Sequence, residues 1–533
     1  MGIADLTYCL SPDVVIEPLV DRWHAWPHLV SPTTSALNTK YRHLPLLESF
    51  IADPSVHAHA CKTPSLRGGP FVDLPISEID KVKSFILKTK ETQKKQILFA
   101  EAIRETLRLL IKEADGFSIE RFYENLPDNI RGYVELTYSL GNSPSLRIIE
   151  PLVYCSDLNT KRYQTSIMFQ SFDDNRPFIF STPRLPGNNI VELPFSFNEQ
   201  IYDYLAKLRN YPSSFSEIVD RLQIDSNQID LLNTLLVEKK CQIANYQKPT
   251  CKIRWRYFGH ACVLIETEDG KSVLIDPVIS YAQHGGIKRF ILADLPDHVD
   301  YVILTHNHAD HVMIETLLAL RYKIGALIIP NGGGGIADPS LRLMLQSIGF
   351  NNVIACDSLD TVQCGSLQIT AFPFLGEHGD LEIYTKAAWL VRFQEKSFLF
   401  AADSNNLDPQ MYDHLRNYFG PIENVFLGME CQGAPLSWTY GPYLPISIDR
   451  KKDQSRRLNG SDSLRGMKLI HSLGCKNVFI YAMGSEPWLQ FLTSIDPDEN
   501  TVPKVNAREL IENCKASNIQ AKLLYAYAEV VYE

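Results

Sequence analysis

The stretch that most limits what this chain can fold into is Tyr301-Val302-Ile303-Leu304 running directly into Thr305-His306-Asn307-His308-Ala309-Asp310-His311. A short apolar, partly β-branched run reads as a buried strand, and the residues after it cannot continue one. The strand supplies a rigid base, and the loop after it can turn its side chains inward. His306 and His308, at alternating positions, can reach one metal ion, while Asp310 and His311 reach a second one beside it. The competing reading is a polar loop that happens to hold three histidines, and the strand-to-loop setting argues against it.

Composition narrows the class. A chain of 533 residues is too long for one ordinary core and implies two or three domains. With 45% hydrophobic and 21% charged residues it is globular rather than disordered. Its 62 acidic against 52 basic residues, a net charge of -10, argue against nonspecific nucleic-acid binding. No apolar stretch is long enough to cross a bilayer. Met1-Gly2-Ile3-Ala4-Asp5-Leu6 lacks the basic region of a signal peptide and the hydroxyl residue of a myristoylation signal. Eleven cysteines, an odd number without pairing spacings, suggest reduced thiols and a cytoplasmic location.

The pattern along the chain predicts an α/β protein in two parts. Residues 1–247 read as a mixed α+β N-terminal domain. Within it, 91–115 has the spacing of a helix and 131–153 is strand-rich. Helices are expected over 197–208, 214–222 and 226–238, with a short strand over 242–246, the outline of a winged-helix-like unit. A packing module fits the acidic balance better than a DNA-binding one. Gln247-Lys248-Pro249-Thr250 marks the boundary. From 252 to 533 strands and helices alternate. Strand signals cover 252–266 and 272–275 around an Asp269-Gly270 turn, then 301–304, 326–329, 353–355, 367–372, 388–392, 397–400, 424–427, 477–481 and 521–524. Such a chain can build two sheets with helices outside, an αββα sandwich.

Two more segments bear on the metal. Gly376-Glu377-His378-Gly379 follows the strand ending near Phe372, and Ala401-Ala402-Asp403-Ser404 follows Ser397–Phe400. Asp403 can bridge two ions with its two oxygens; a helix cap is its ordinary alternative. Together with Phe258-Gly259-His260-Ala261 and Leu274-Ile275-Asp276-Pro277, these motifs resemble the metallo-β-lactamase superfamily over residues 252–533. The resemblance implies that Asp276 orients a metal-binding histidine. It also exposes two departures. Glu377 stands where the superfamily has its third histidine, and adjacent His378 is an alternative ligand. The last histidine is missing from Ala482-Met483-Gly484-Ser485-Glu486; His471, on the preceding helix, is expected to be structural. A carboxylate-rich, incompletely ligated pair suits iron or manganese better than zinc.

This combination, with a long N-terminal domain ahead of the metal domain, resembles the diiron β-hydroxylases of nonribosomal peptide assembly lines. That resemblance implies an O2-dependent monooxygenase acting on an aminoacyl thioester held by a peptidyl carrier protein through phosphopantetheine. It implies two iron ions, O2 as cosubstrate, and an external electron donor with its electron-transfer partner. His306, His308 and Glu377 would hold one iron, Asp310 and His311 the other, and Asp403 would bridge. Glu377, Asp403 and Glu430 are the expected catalytic residues, although a solvent-facing loop acid is an equal reading of Glu430. The N-terminal domain is expected to serve dimerisation or to cover the site. Arg450-Lys451-Lys452 and Arg456-Arg457, after Gly441-Pro442-Tyr443-Leu444-Pro445, form the densest basic cluster and a candidate face for an acidic carrier. Trp438, Tyr440 and Trp488 are candidate pocket aromatics, with packing the competing role. The rival function is a dizinc hydrolase of the same fold, a lactonase or phosphodiesterase using a bridging hydroxide. A noncatalytic, degenerate copy is disfavoured by the intact His306, His308, Asp310, His311 and Asp403 set.

Other motifs carry less. Asn331-Gly332-Gly333-Gly334-Gly335 lacks the spacing of a phosphate loop and reads as a tight turn. His57-Ala58-His59-Ala60-Cys61 has ligand-like spacing with no complementary cluster nearby, and reads as loop or core. No Gly-x-Ser-x-Gly elbow supports serine-hydrolase chemistry.

Overall fold

The computed structural model describes residues 6–238, 246–283, 286–495 and 498–533. Residues 1–5 and most of the expected strand over 242–246 lie outside these.

Two seven-stranded sheets form the body of the metal domain. The first runs in the order Val353–Cys356, Ile324–Pro330, Val299–Ile303, Ser272–Ile275, Cys262–Thr267, Ile253–Gly259 and Ala528–Tyr532. The second runs Thr361–Cys364, Leu367–Phe372, Ala388–Phe393, Lys396–Phe400, Asn424–Gly428, Asn477–Tyr481 and Gln520–Leu523. Both follow one plan. An antiparallel meander turns into parallel strands joined by crossovers. The strands near the middle are buried on both faces, which is why they read as apolar runs rather than as alternating ones.

The sheets pack face to face through Trp255, Ile265, Ile303 and Ile328 of one and Ile369, Trp389, Phe398 and Phe426 of the other. Helices Pro409–Phe419, Ser463–Leu473 and Val502–Ala516 cover the outside of the second sheet, with Leu415, Leu469 and Leu510 in a shared core. The αββα sandwich is therefore as expected. Sequence patterning located most strands to within two residues. It missed Thr361–Cys364 and Ala528–Tyr532, which are edge strands with exposed positions. It also ran 252–266 together, whereas the chain breaks after Gly259, at His260.

Residues before the boundary cover the outer face of the first sheet. Strand Val14–Val20 pairs with Gln164–Gln170 in a four-stranded sheet, and Met168, Phe197 and Leu205 share a core with Leu264, Leu317 and Met344. Helix Lys94–Glu113 and the hairpin Val134–Tyr138/Pro144–Ile148 form a second core with Leu436, Tyr440 and Tyr443. Helices Ile201–Lys207, Phe215–Leu222 and Ile229–Thr234 replace the longer ones expected there. The helical pattern over 226–238 ends in a strand, Leu236–Glu238, paired with Thr7–Leu10. The expectation of wholly reduced cysteines is also corrected. Among the described residues nine are free thiols, but Cys9 is disulfide-bonded.

Candidate metal centre

The site forms where strands of both sheets end on the same side, the place where open α/β sheets bind ligands. His260 follows Ile253–Gly259, Asp276 follows Ser272–Ile275, and the Thr305–His311 loop follows Val299–Ile303. From the second sheet come Glu377, Asp403 after Lys396–Phe400, Glu430 after Asn424–Gly428 and Ala482 after Asn477–Tyr481. Six non-glycine residues in these loops take left-handed backbone: His260 (φ 50°), Asp276 (φ 38°), Glu377 (φ 69°), Asp380 (φ 59°), Ala402 (φ 47°) and Ala482 (φ 52°). Such conformations cost on the order of 1 kcal/mol each or more and persist where packing over-determines them, commonly at functional sites. The close approach of the strands leaves no room at Gly428, where a Cβ would lie 2.5 Å from the Ala402 carbonyl and 2.9 Å from Asp403 Oδ1.

Asp276 organises the loop. It accepts from the Thr305 backbone N–H at 2.8 Å and the Thr305 hydroxyl at 2.6 Å, and His311 Nδ1–H donates to its Oδ2 at 2.8 Å. With Nδ1 so used, His311 presents Nε2, which lies 3.1 Å from Asp403 Oδ2. His306 Nδ1 faces the Thr305 hydroxyl at 3.0 Å, leaving Nε2 as its free nitrogen. His308 is turned the other way: its Nδ1 lies 2.9 Å from Glu377 Oε1 and its Nε2 3.0 Å from the Tyr440 hydroxyl.

Three groups of side chains can each face one ion: His306, His308 and Glu377; His306, His311 and Asp403; His260, Asp310 and His311. All six sequence-predicted ligands are thus brought together. His378 is not in any of the groups; its Nδ1 lies 2.7 Å from the other Glu377 oxygen. His260 was quoted in the first-strand motif but not as a site residue. It reaches Asp310 Oδ2 at 3.2 Å, and its backbone carbonyl accepts from Ala482 N–H, where the superfamily's last histidine is missing. The signal was the Phe258-Gly259-His260 motif itself, but only the fold carries that histidine across to Asp310.

The site's electrostatics are those of a metal cradle. His306 is buried and held well below the ordinary imidazole range, first by desolvation and then by neighbouring imidazoles, so it is neutral. Burial works against ionisation of Glu377, but the His308 and His378 imidazoles beside it hold its carboxyl far down. Asp310 is likewise held down, against burial, by His260, His311 and His308. Buried atoms without an aligned hydrogen-bond partner include His306 Nε2, Asp403 Oδ1, Glu377 Oε2 and both nitrogens of His260. A buried orphan costs about 1–3 kcal/mol, and several converging on one spot fit a site that an ion completes. The donor set mixes nitrogen with hard oxygen, which suits iron.

Other candidates fall elsewhere. His57 uses both ring nitrogens structurally, one with Ser49 and one accepting from Val72 N–H. His471 is exposed in the last turn of Ser463–Leu473. The glycine run at 331–335 is not itself the expected tight turn but irregular chain packed closely on its neighbours, with the turn following at 336–337: a Cβ on Gly332 would lie 2.2 Å from Thr385 Oγ1, and Glu150 accepts from Gly334 N–H.

Fold and site together define a dinuclear, carboxylate-rich centre on a metallo-β-lactamase sandwich. A family model described as the diiron non-heme beta-hydroxylase N-terminal domain matches residues 9–240, and one for the beta-lactamase superfamily domain matches 271–431. The 4-amino-L-phenylalanyl-[CmlP-peptidyl-carrier-protein] 3-hydroxylase of Streptomyces venezuelae is 33% identical over 540 residues, 98% of this chain and 99% of that protein. The crystal structure of CmlA, a diiron beta-hydroxylase from Streptomyces venezuelae, superposes with a TM-score of 0.92 at 32% identity, covering 99% of this chain and 100% of that one. A UPF0173 metal-dependent hydrolase of Rhizobium johnstonii is 29% identical over only 119 residues, 22% of this chain and 45% of that protein. The chain belongs to the diiron non-heme β-hydroxylases.

Proposed function

We propose that this chain is an O2-dependent monooxygenase that hydroxylates the β-carbon of an aminoacyl group held as a thioester on a peptidyl carrier protein, in nonribosomal, antibiotic-type peptide synthesis. The observation that carries the reading is Glu377, with its carboxylate 2.9 Å from His308 Nδ1, in a chain similar from end to end to a hydroxylase of a carrier-bound amino acid. A zinc hydrolase of this fold has an imidazole there.

In this reading His306, His308 and Glu377 would hold one iron, and Asp310 and His311 would hold the other, with Asp403 within reach of both. Bound iron supplies the redox chemistry that activates O2, with two electrons from an external donor, so that one oxygen atom enters the C–H bond and the other leaves as water. The chain's own residues set the stage. Asp276 holds the Nδ1 proton of His311 and so aims Nε2 into the site. Burial, helped by the neighbouring Asp403 carboxylate, raises the Glu430 carboxyl to about 8. Glu430 thus sits beside Asp403 as a carboxyl that burial inclines to hold a proton, the group best placed to donate one. Residues 1–247 act as one domain over the metal domain of 252–533, and the apolar core around Leu436, Tyr440 and Tyr443 keeps water from the His308 side.

The carrier docks through Arg450, Lys451 and Lys452, which are solvent-facing on helix Arg450–Ser455. Among the described residues no helix is long and apolar enough to cross a membrane, and we assign the enzyme to the cytoplasm alongside its carrier.

The test uses the full chain purified with iron. Carrier protein charged with 4-amino-L-phenylalanine and with other amino acids is incubated with it, a reductant and isotope-labelled O2. The expected result is two irons per chain and one labelled oxygen atom on the β-carbon of a carrier-bound amino acid. Zinc alone, retained after expression in iron-rich medium, with turnover of lactones or phosphodiesters instead, would overturn the reading.

A further inference from the structure

Residues 436–445 of the metal domain are gripped by the N-terminal domain. Arg42 Nη2 donates to the carbonyls of Trp438 and Thr439 at 2.5 and 3.0 Å. Arg104 donates to the Pro442 carbonyl at 2.7 Å and Arg108 to that of Pro445 at 2.8 Å. The Trp438 indole N–H donates to the Gly68 carbonyl at 3.0 Å. The Asn38 amide donates to the Tyr443 hydroxyl at 2.8 Å, and His28 Nδ1 lies 2.8 Å from the same hydroxyl. This segment is thus a strap fixed along its length from the other domain. In its middle, Tyr440 is 1% exposed and sets its hydroxyl 3.0 Å from His308 Nε2.

We propose that Tyr440 is a positioning residue for the metal centre, and that the N-terminal domain sets its place through the strap. The inference rests on the reading of His308 as a ligand. An imidazole has two nitrogens, and a half-turn about its bond to Cβ puts a carbon where each of them was, Cδ2 in place of Nδ1 and Cε1 in place of Nε2. His308 offers Nδ1 toward His306 and Glu377 only while Nε2 points at Tyr440. Turning the ring over would strand a buried nitrogen and a buried hydroxyl together, so the hydroxyl selects one orientation. The oxygen can accept from Nε2–H when Nδ1 holds an ion, and donate to Nε2 when Nδ1 carries the proton toward Glu377. A phenylalanine ring would fill the same space and do neither. Tyr440 is therefore how the N-terminal domain acts on the metal without contributing a ligand.

The experiment is a cobalt(II) titration of the full-length apoprotein, read by visible absorption and by the rate of cobalt loss to a chelator. Cobalt reports donor geometry whichever metal is native, so failure here is distinct from failure of the hydroxylase assay. Tyr440→Phe is expected to weaken one of the two cobalt positions by about 10–100-fold, as loss of a partner hydrogen-bonded to a ligand does, and to change that position's absorption. Tyr443→Phe removes a buried hydroxyl from the same strap without touching a ligand and is expected to bind cobalt as the parent does. Arg42→Met, which keeps the Tyr440 hydroxyl but loosens the strap, is expected to weaken the same position and spare the other. Parent-like cobalt affinity and release in folded Tyr440→Phe would overturn the proposal, as would equal losses in Tyr440→Phe and Tyr443→Phe. Should Tyr440→Phe fail to fold, parent-like cobalt binding by Arg42→Met would overturn it.

Discussion

His260 Nε2 lies 3.2 Å from Asp310 Oδ2, yet neither nitrogen of His260 has an aligned hydrogen-bond partner. A buried imidazole and a partly exposed carboxylate placed this way, with His311 beside them, can face one ion together. The Glu486 carboxylate fixes the approach by accepting from His260 N–H at 3.0 Å and from the Tyr257 hydroxyl at 2.7 Å. We therefore expect His260→Ala to loosen metal at the Asp310/His311 position by about 10-fold or more while leaving the His306/His308/Glu377 position occupied. Metal counted after dialysis against a weak chelator checks this. Two ions retained as tightly as in the parent would refute it.

In the proposed assignment Glu377 is a carboxylate ligand where a zinc hydrolase of the same fold would use an imidazole. Glu377→Ala removes a hard donor, so it should lower the iron content toward one per chain and abolish hydroxylation. Glu377→His restores an imidazole to the site and should shift uptake toward zinc when both metals are supplied. Elemental analysis of protein expressed with equal iron and zinc decides the point, and an unchanged metal ratio in both variants would count against the assignment.

The basic cluster divides in the structure. Arg456 is engaged, donating from Nε to the Gly379 carbonyl at 2.8 Å, two residues beyond Glu377. Arg450, Lys451 and Lys452 face solvent. Reversing those three to Glu should raise KM for the carrier-bound substrate, steepest at low salt, without changing metal content. A KM unaffected by charge reversal at low ionic strength would remove the docking face.

Glu150 ties the two domains together at the glycine run. Its Oε1 accepts from Gly334 N–H and Ser340 N–H at 2.8 and 2.9 Å. Burial outweighs those donors and raises its carboxyl to about 7 from an ordinary 4.5. A raised folded-state value means that the folded protein binds the proton more tightly than the unfolded chain. Its contribution is complete below about 4.5, and is lost as pH rises through about 7. The swing is on the order of 3 kcal/mol. Glu150→Gln should remove this component, so denaturant titrations between about pH 5 and 8 should give a flatter stability profile than the parent. Parallel profiles would show that Glu150 does not titrate there.

Arg176 bridges the domains inside the protein, donating to both Glu315 oxygens at 3.1 and 2.7 Å and lying 3.1 Å from Glu17 Oε2. All three side chains are at most 8% exposed. Arg176→Met should destabilise by about 3–5 kcal/mol, because buried Glu315 loses its cation while Glu17 keeps Arg184 at 2.8 Å. Urea unfolding of the metal-free protein measures it, and a loss below about 1 kcal/mol, the range of an exposed pair, would contradict the account.

Local sequence determined the parts of this protein whose physics is local. Short runs rich in β-branched and aromatic residues, such as Tyr301–Leu304 and Val478–Tyr481, read as strands, and the candidate ligands follow in the loops those strands release. The type and spacing of His306, His308, Asp310 and His311 carried the chemistry, and Glu377 in a histidine's place carried the hint of iron. Tertiary structure decided what depends on partners distant in the chain. It chose Glu377 over His378 as the companion of His306 and His308, because left-handed backbone at 377 points one carboxylate oxygen at His308 and the other at the neighbouring imidazole. It brought His260 to Asp310 and Tyr440 to His308, pairs separated by 50 and 132 positions in the numbering. Hydrophobic periodicity reports only which face of an element is buried. Which side chains then meet across two sheets and a second domain is set by packing that no stretch of sequence holds by itself.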